Sequence, residues 1–343
     1  MRYYFNILDE SKRFVSSEPF DLEGVTRGRF IIWRYVVKRL LQLIPILFGI
    51  TLLSFALMQT ASGDTVDVIM QQRGMVLTEE NQALMRHEMG LDQPFILQYF
   101  QWLGKILTGD MGYSYFKNTD VFPLFMKALP NTLLLTLSSI VVTVCISIPL
   151  GVVSAVRQNK VTDYIIRIFS FIGNAMPGFF VALLLLYFFA LKLNWLPVMG
   201  NNGFVSIILP TLTLAIAMSS KYTRQVRAAV LEELNKDYVT GCKSRGIKGH
   251  VIIFCNVLKN SMLTIITLLA LSIGSLLGGT AIVESIFMWP GVGKLAVDAI
   301  TNRDYAIIQV YVIWMAVIYV VINLITDLVY HYLDPRVRLK GEG

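Results

Sequence analysis

The chain has 343 residues, of which 55% are hydrophobic and only 15% charged, with a mean hydropathy of +0.60. A soluble domain carries about a quarter charged residues, so these values exclude one large soluble core and indicate a polytopic membrane protein. The net charge of +7 is read as membrane orientation, because no basic patch interleaved with aromatics points to nucleic acid.

Residues 1–34 form a mostly polar N-terminal arm with no short apolar core followed by a small-residue cleavage site, so it does not read as a secretory signal. Tyr3, Tyr4, Phe5, Ile7 and Leu8 fit an interfacial segment or a disordered tail equally well. The first apolar span runs from about Leu40 to Met58. Residues 59–128 follow as a folded cap. LTEENQALMRHEMG has a capping-type start at Thr78 and closes at Gly90, and PFILQYFQWLGKIL gives a second amphipathic helix ended by Gly109. Tyr99, Phe100 and Trp102 suit a membrane–water boundary.

The second span runs from about Leu129 to Val156, the third from Ile165 to Leu191 and the fourth from Phe204 to Met218. The fourth is short and holds Pro210, which neighbouring helices can accommodate. The connection 221–260 carries eight of the thirty Lys and Arg and reads as two short helices broken at Gly246. A basic, helical, Gly-broken segment at the membrane face suits a docking surface for a cytosolic partner. The fifth span covers about Ser261 to Val283, the sixth Ala306 to Tyr330, and residues 336–343 form a short tail.

With the N-terminus inside, the inner segments hold 22 Lys and Arg against 8 outside, which places both termini in the cytoplasm of a cell-membrane protein. Cys145 lies in a span, and Cys242 and Cys255 fall on the reducing side, which argues against a structural disulfide. Glu284 closes the fifth span, where it can cap a helix or pair with Arg303 in a structural role. Asn323 and Asp327 lie at i and i+4 in the sixth span and read as packing or interfacial groups. His87, His250 and His331 are far apart, so no metal site is expected. Gly291–Leu295 imitates a phosphate loop, but Met288 replaces the first glycine and Leu295 the Ser or Thr. No nucleophile signature appears, so the chain is expected not to be an enzyme.

Several segments in order carry a family resemblance. WRYVVKRLLQLIPILFGITLLSF, GLDQPFILQYFQWL with GDMGYSY, NAMPGFF, LPVMG, VESIFMWPGVGKLAVDAITNRDYAIIQ and NLITDLVYHYLDPRVR together resemble the membrane subunit of a binding-protein-dependent ABC importer of the peptide/nickel permease family. The resemblance covers about Trp33 to Leu339 and implies an all-α, six-span permease of the type I importer fold. It further implies a second homologous permease subunit, two cytosolic ATPase subunits that hold ATP and magnesium, and an extracytoplasmic binding protein. No cofactor is expected on this chain.

The connection 221–260 is then similar to the family's coupling loop. The Glu-Ala-Ala of that pattern falls on Thr240, Gly241 and Cys242, and its glycine on Gly246, where two helices would approach closely. Leu258 matches the later leucine, Lys259 replaces the expected proline, and Asp237 and Tyr238 fit the peptide/nickel subfamily. The resemblance thus makes Asp237, Tyr238, Thr240, Gly241, Cys242, Arg245 and Gly246 the candidates for ATPase coupling, and Asn174, Met176 and Pro177 those for the translocation path. Ser62-Gly63-Asp64-Thr65 and Arg303-Asp304-Tyr305-Ala306 depart from the family's Pro-Gly-Asp-Pro and Arg-Asp-Tyr-Pro. Di- and oligopeptides are the first expectation for the substrate, with nickel or a metal chelate the alternative. A stand-alone secondary transporter or channel would instead need charge pairs or a proton relay along the spans.

Overall fold

The computed structural model describes residues 41–57, 78–88, 92–114, 116–198 and 203–333, with Val37, Val66 and Met70. The arm, the tail and Gly90 lie outside the described residues. By its internal contacts the chain divides into Met1–Ile46 and Leu47–Gly343. Of the first part Val37 and residues 41–46 are described, all helical. The second part holds the rest of the described chain.

The elements run α1 (Leu41–Leu57), α2 (Glu79–Glu88), α3 (Phe95–Leu107), β1 (Tyr113–Ser114), β2 (Thr119–Asp120), α4 (Val121–Val156), α5 (Val161–Ala175), α6 (Gly178–Leu185), α7 (Ile208–Leu234), α8 (Asp237–Ser244), α9 (Leu258–Ile286), α10 (Val292–Thr301) and α11 (Tyr305–Leu333). The two strands pair antiparallel as a minimal hairpin. Among the described residues, four helices are long and apolar enough to cross a membrane. The α5–α6 pair would make a fifth span, and α1 is a shorter apolar helix. The expected count of six is therefore met only if α1 and the bent pair both cross.

Three expected boundaries move. α4 begins at Val121, inside the segment assigned to the cap, and runs unbroken through Pro130 and Pro149. The third span is not one rod: it breaks at Met176–Pro177 with a bend of 103°. Met176 is extended (φ −76°, ψ 131°), the conformation a following proline favours. The helix of the fourth span continues past Met218 to Leu234, so Lys221–Leu234 prolongs that helix instead of opening a separate short one, and the turn to the next element starts at Asn235.

The centre of the bundle is α4 against α7. Their contact is built from small residues. Thr132, Thr136, Ser139, Thr143, Ser147, Gly151 and Ser154 recur every three or four positions along α4 and are all buried. Opposite them α7 buries Thr211, Ala215, Ser219, Thr223 and Val226. Between apolar helices in lipid, close backbone approach supplies the packing energy that water would otherwise drive, and small residues permit it. A Cβ on Gly151 would stand 2.6 Å from Val226 Cβ, so only glycine allows this approach.

Three apolar clusters stack along the bundle. Val121, Phe125, Val292, Ile307 and Val310 gather at the hairpin end. Leu135, Leu209, Leu276, Phe287 and Trp289 fill the middle. Val152, Val226, Val230, Val239, Ile252 and Val257 close the opposite end, where α8 lies.

The cap helices follow the sequence expectation. Thr78 Oγ1 accepts from Asn81 N–H at 3.4 Å, and α3 ends before Gly109, which is left-handed (φ +90°). Tyr99, however, turns inward. It is buried against α1, its hydroxyl 2.9 Å from Thr51 Oγ1, within an aromatic group of Phe48, Phe55 and Trp102. Of Tyr99, Phe100 and Trp102, only Phe100 is exposed.

Candidate functional site

α8 is short, and the sequence shows why it can be both anchored and presented. After α7 ends, Lys236 turns extended (ψ 149°) and the chain re-enters helix at Asp237. Val239 is fully buried in the α4–α7–α9 cluster, and Tyr238 and Cys242 pack beside it. These positions fall on one helical face. Tyr238 Oη donates to Glu233 Oε2 at 3.0 Å, and Lys236 pairs with the same carboxylate, which ties α8 to the end of α7. Burial raises the Tyr238 phenol, and the Glu233 hydrogen bond raises the Lys236 ammonium, so each holds its proton at neutral pH.

The opposite face is open. Asp237, Thr240, Gly241, Lys243, Arg245, Gly246, Ile247 and Lys248 are exposed. Seven coupling candidates thus divide: Asp237, Thr240, Gly241, Arg245 and Gly246 face outward, whereas Tyr238 and Cys242 hold the helix in place. The expected close approach at Gly246 is not found among the described residues, since a Cβ there would meet nothing within 4 Å. Its role is conformational. Gly246 is left-handed (φ +73°), Ile247 N–H donates to Cys242 O at 3.2 Å and Gly246 N–H to Lys243 O at 3.0 Å. That is a Schellman stop, and it needs a residue without the Cβ penalty.

At the end of α4, α5 and α7 lies a buried polar junction that sequence reading missed. Asp163, in the first turn of α5, is fully buried and receives Arg227 of α7 in a two-point grip, Nε to Oδ1 at 2.8 Å and Nη2 to Oδ2 at 2.9 Å. Ser154 Oγ of α4 donates to Oδ1 at 2.5 Å and Asn159 N–H to Oδ2 at 3.0 Å.

The translocation candidates gather at the break between α5 and α6. Asn174 and Pro177 are exposed and Met176 is half-buried.

At the hairpin end, Glu284 resolves the choice between capping and pairing. Its buried carboxylate accepts from Thr132 Oγ1 at 2.7 Å and from Lys294 N–H at 2.9 Å, so it caps α10 rather than reaching Arg303. Thr132 Oγ1 in turn accepts from Val292 N–H at 2.8 Å. The phosphate-loop lookalike therefore already has its anion, supplied from the preceding helix. Ser114 Oγ donates to buried Asp304, joining the hairpin to the start of α11, and burial pushes the Asp304 carboxyl up. Among the described residues no three His, Cys, Asp or Glu stand close enough to hold a metal ion.

Residues 147–339 match the family described as binding-protein-dependent transport system inner membrane component, and residues 32–136 match its N-terminal companion. The chain belongs to this family. It is an ABC importer permease of the peptide/nickel type and a multi-pass membrane protein. It is 40% identical over 314 residues to an oligopeptide transport system permease of Bacillus subtilis strain 168, spanning 88% of this chain and 98% of that protein. It is 33% identical over 306 residues to a glutathione transport system permease of Escherichia coli K12, spanning 89% and 99%. Among solved structures, an inward-facing methionine ABC transporter matches at a TM-score of 0.53 and 14% identity, over 62% of this chain and 97% of that one. That likeness supports the type I permease fold, and α8 is the permease's exposed helix between two long ones.

Proposed function

We propose that this permease forms half of an ATP-driven pathway for di- and oligopeptides delivered by an extracytoplasmic binding protein. Its open α8 face is the docking surface for a cytosolic ATPase, a homologous permease completes the pathway, and both termini are cytoplasmic. The observation that carries this is α8 itself. It is a helix pinned by Val239, Tyr238 and Cys242 to the ends of α4, α7 and α9, with Lys243 exposed on it and Arg245 and Lys248 exposed in the turn that follows. A rigidly seated helix can deliver force to the bundle, and a basic rim attracts and orients an acidic groove. The peptide assignment is supported by relatives named for oligopeptide and glutathione transport.

The test is reconstitution in liposomes with the neighbouring permease, ATPase and binding-protein gene products. Tritiated tetra-alanine and radioactive nickel are supplied in parallel. ATP-dependent peptide accumulation that vanishes without the ATPases is the expected result. Nickel uptake in place of peptide would reverse the substrate assignment, and peptide uptake without ATPases would make the chain a stand-alone transporter.

A further inference from the structure

We infer that the Asp163–Arg227 pair, backed by Ser154, is the positioning joint through which movement of α8 reaches the broken span α5–α6. This rests on the reading of α8 as the ATPase-docking helix. Arg227 lies on α7 two turns before Leu234, where α7 hands over to α8. Asp163 opens α5, the half-span that leads to the break at Met176–Pro177. Ser154 belongs to α4 and Asn159 to the turn joining α4 to α5. One carboxylate therefore joins three helices at the end of the bundle that carries α8.

The geometry makes this a joint rather than a loose contact. A carboxylate offers about four acceptor positions, and here four donors occupy them. The planar guanidinium grips both oxygens, which fixes direction as well as distance. With Asp163 fully buried and the Arg227 side chain 19% exposed, sliding α5 along α7 would strand a charge without water. A second pin lies further along the same two helices. Gly173 meets Ser220 so closely that a Cβ would stand 2.2 Å from Ser220 Oγ. Pinned at 163 and again at 173, α5 must follow α7 as one body, because packed interfaces shift between discrete arrangements rather than stretching. The first place free to yield is the Met176–Pro177 break, where the chain turns by 103°.

Buried ion pairs contribute little net stability over a well-packed apolar substitute, and their attested use is to fix one register. The prediction is thus loss of transmission, not only loss of stability. The experiment uses the whole complex in membranes, in a cysteine-free background with Asn174→Cys as reporter. Its labelling by a small maleimide is timed with and without ATP and vanadate. With Asp163 and Arg227 intact, trapping changes the labelling rate by about fivefold or more, the lower end of ordinary coupling between sites. Asp163→Asn abolishes that change while the ATPase co-purifies at wild-type yield. Arg227→Lys keeps the charge but not the two-point grip, and reduces the change by at least half. It also serves should Asp163→Asn fold poorly. An undiminished response in an assembled Asp163→Asn or Arg227→Lys complex overturns the inference. So does lower thermal stability with an unchanged response, which would make the pair merely structural. Absence of the ATPase from the unmutated complex would overturn the α8 reading as well, and is read separately.

Discussion

Gly291 has no side chain because Glu284 occupies the space. A Cβ there would lie 2.4 Å from the Glu284 carboxyl carbon, and one on Gly293 would lie 2.5 Å from Ala281 Cα. The Val-Glu-Ser-Ile-Phe-Met-Trp-Pro-Gly-Val-Gly run thus encodes one object, a buried carboxylate capping the next helix. Gly291→Ala is expected to destabilise the permease by about 1–3 kcal/mol through overpacking. The control is Gly104→Ala on α3, whose Cβ meets nothing. It should fall within about 0.5 kcal/mol or stabilise slightly, as open helical Gly→Ala changes do. Thermal unfolding of both in detergent checks the pair, and equal midpoints would refute the cap. Sequence reading anticipated a structural Glu284, because Glu sits at the end of an apolar run. It could not find Asp163, whose partner Arg227 is 64 positions away and whose pairing exists only once α5 lies on α7.

α3 shows how an element can be legible while its role is not. Its bounds followed from amphipathic period and Gly109, yet Tyr99 turned inward because α1 supplies an apolar surface and a hydroxyl. Tyr99→Phe should cost about 0.5–1.5 kcal/mol, the net worth of one hydrogen bond. Tyr99→Ala should cost about 3–5 kcal/mol, as for other large aromatic truncations. Similar losses for the two would show that α3 does not seat on α1. The hairpin β1–β2 escaped notice because two-residue strands leave no alternation to read. The break in the third span was marked in the sequence by Gly173, Asn174, Pro177 and Gly178, but a span-length hydropathy window averages over that short dip, and hydropathy does not register a bend. The α4–α7 seam was likewise hidden, since its Thr, Ser and Gly read as weakly polar positions although they form the buried faces of the two helices.

At the scale of the whole molecule, α8 and the hairpin lie at opposite ends of α4, a helix of 36 residues. A rise of about 1.5 Å per residue makes it about 54 Å long, enough to span bilayer and headgroups. The Lys and Arg bias predicts that the α8 end is cytoplasmic. With single cysteines in whole cells, an impermeant maleimide should label Lys117→Cys, in the hairpin, and spare Lys248→Cys, beyond α8; the reverse pattern would invert the topology. What touches the open face of α8 decides its role. A photoreactive phenylalanine at Thr240 or Arg245 should capture the ATPase subunit on illumination of membranes, and the same probe at Lys117 should not. Capture of the ATPase from Lys117, or none from either α8 position in membranes shown to contain the ATPase, would contradict the assignment of α8 as the site where ATP hydrolysis is coupled to this permease.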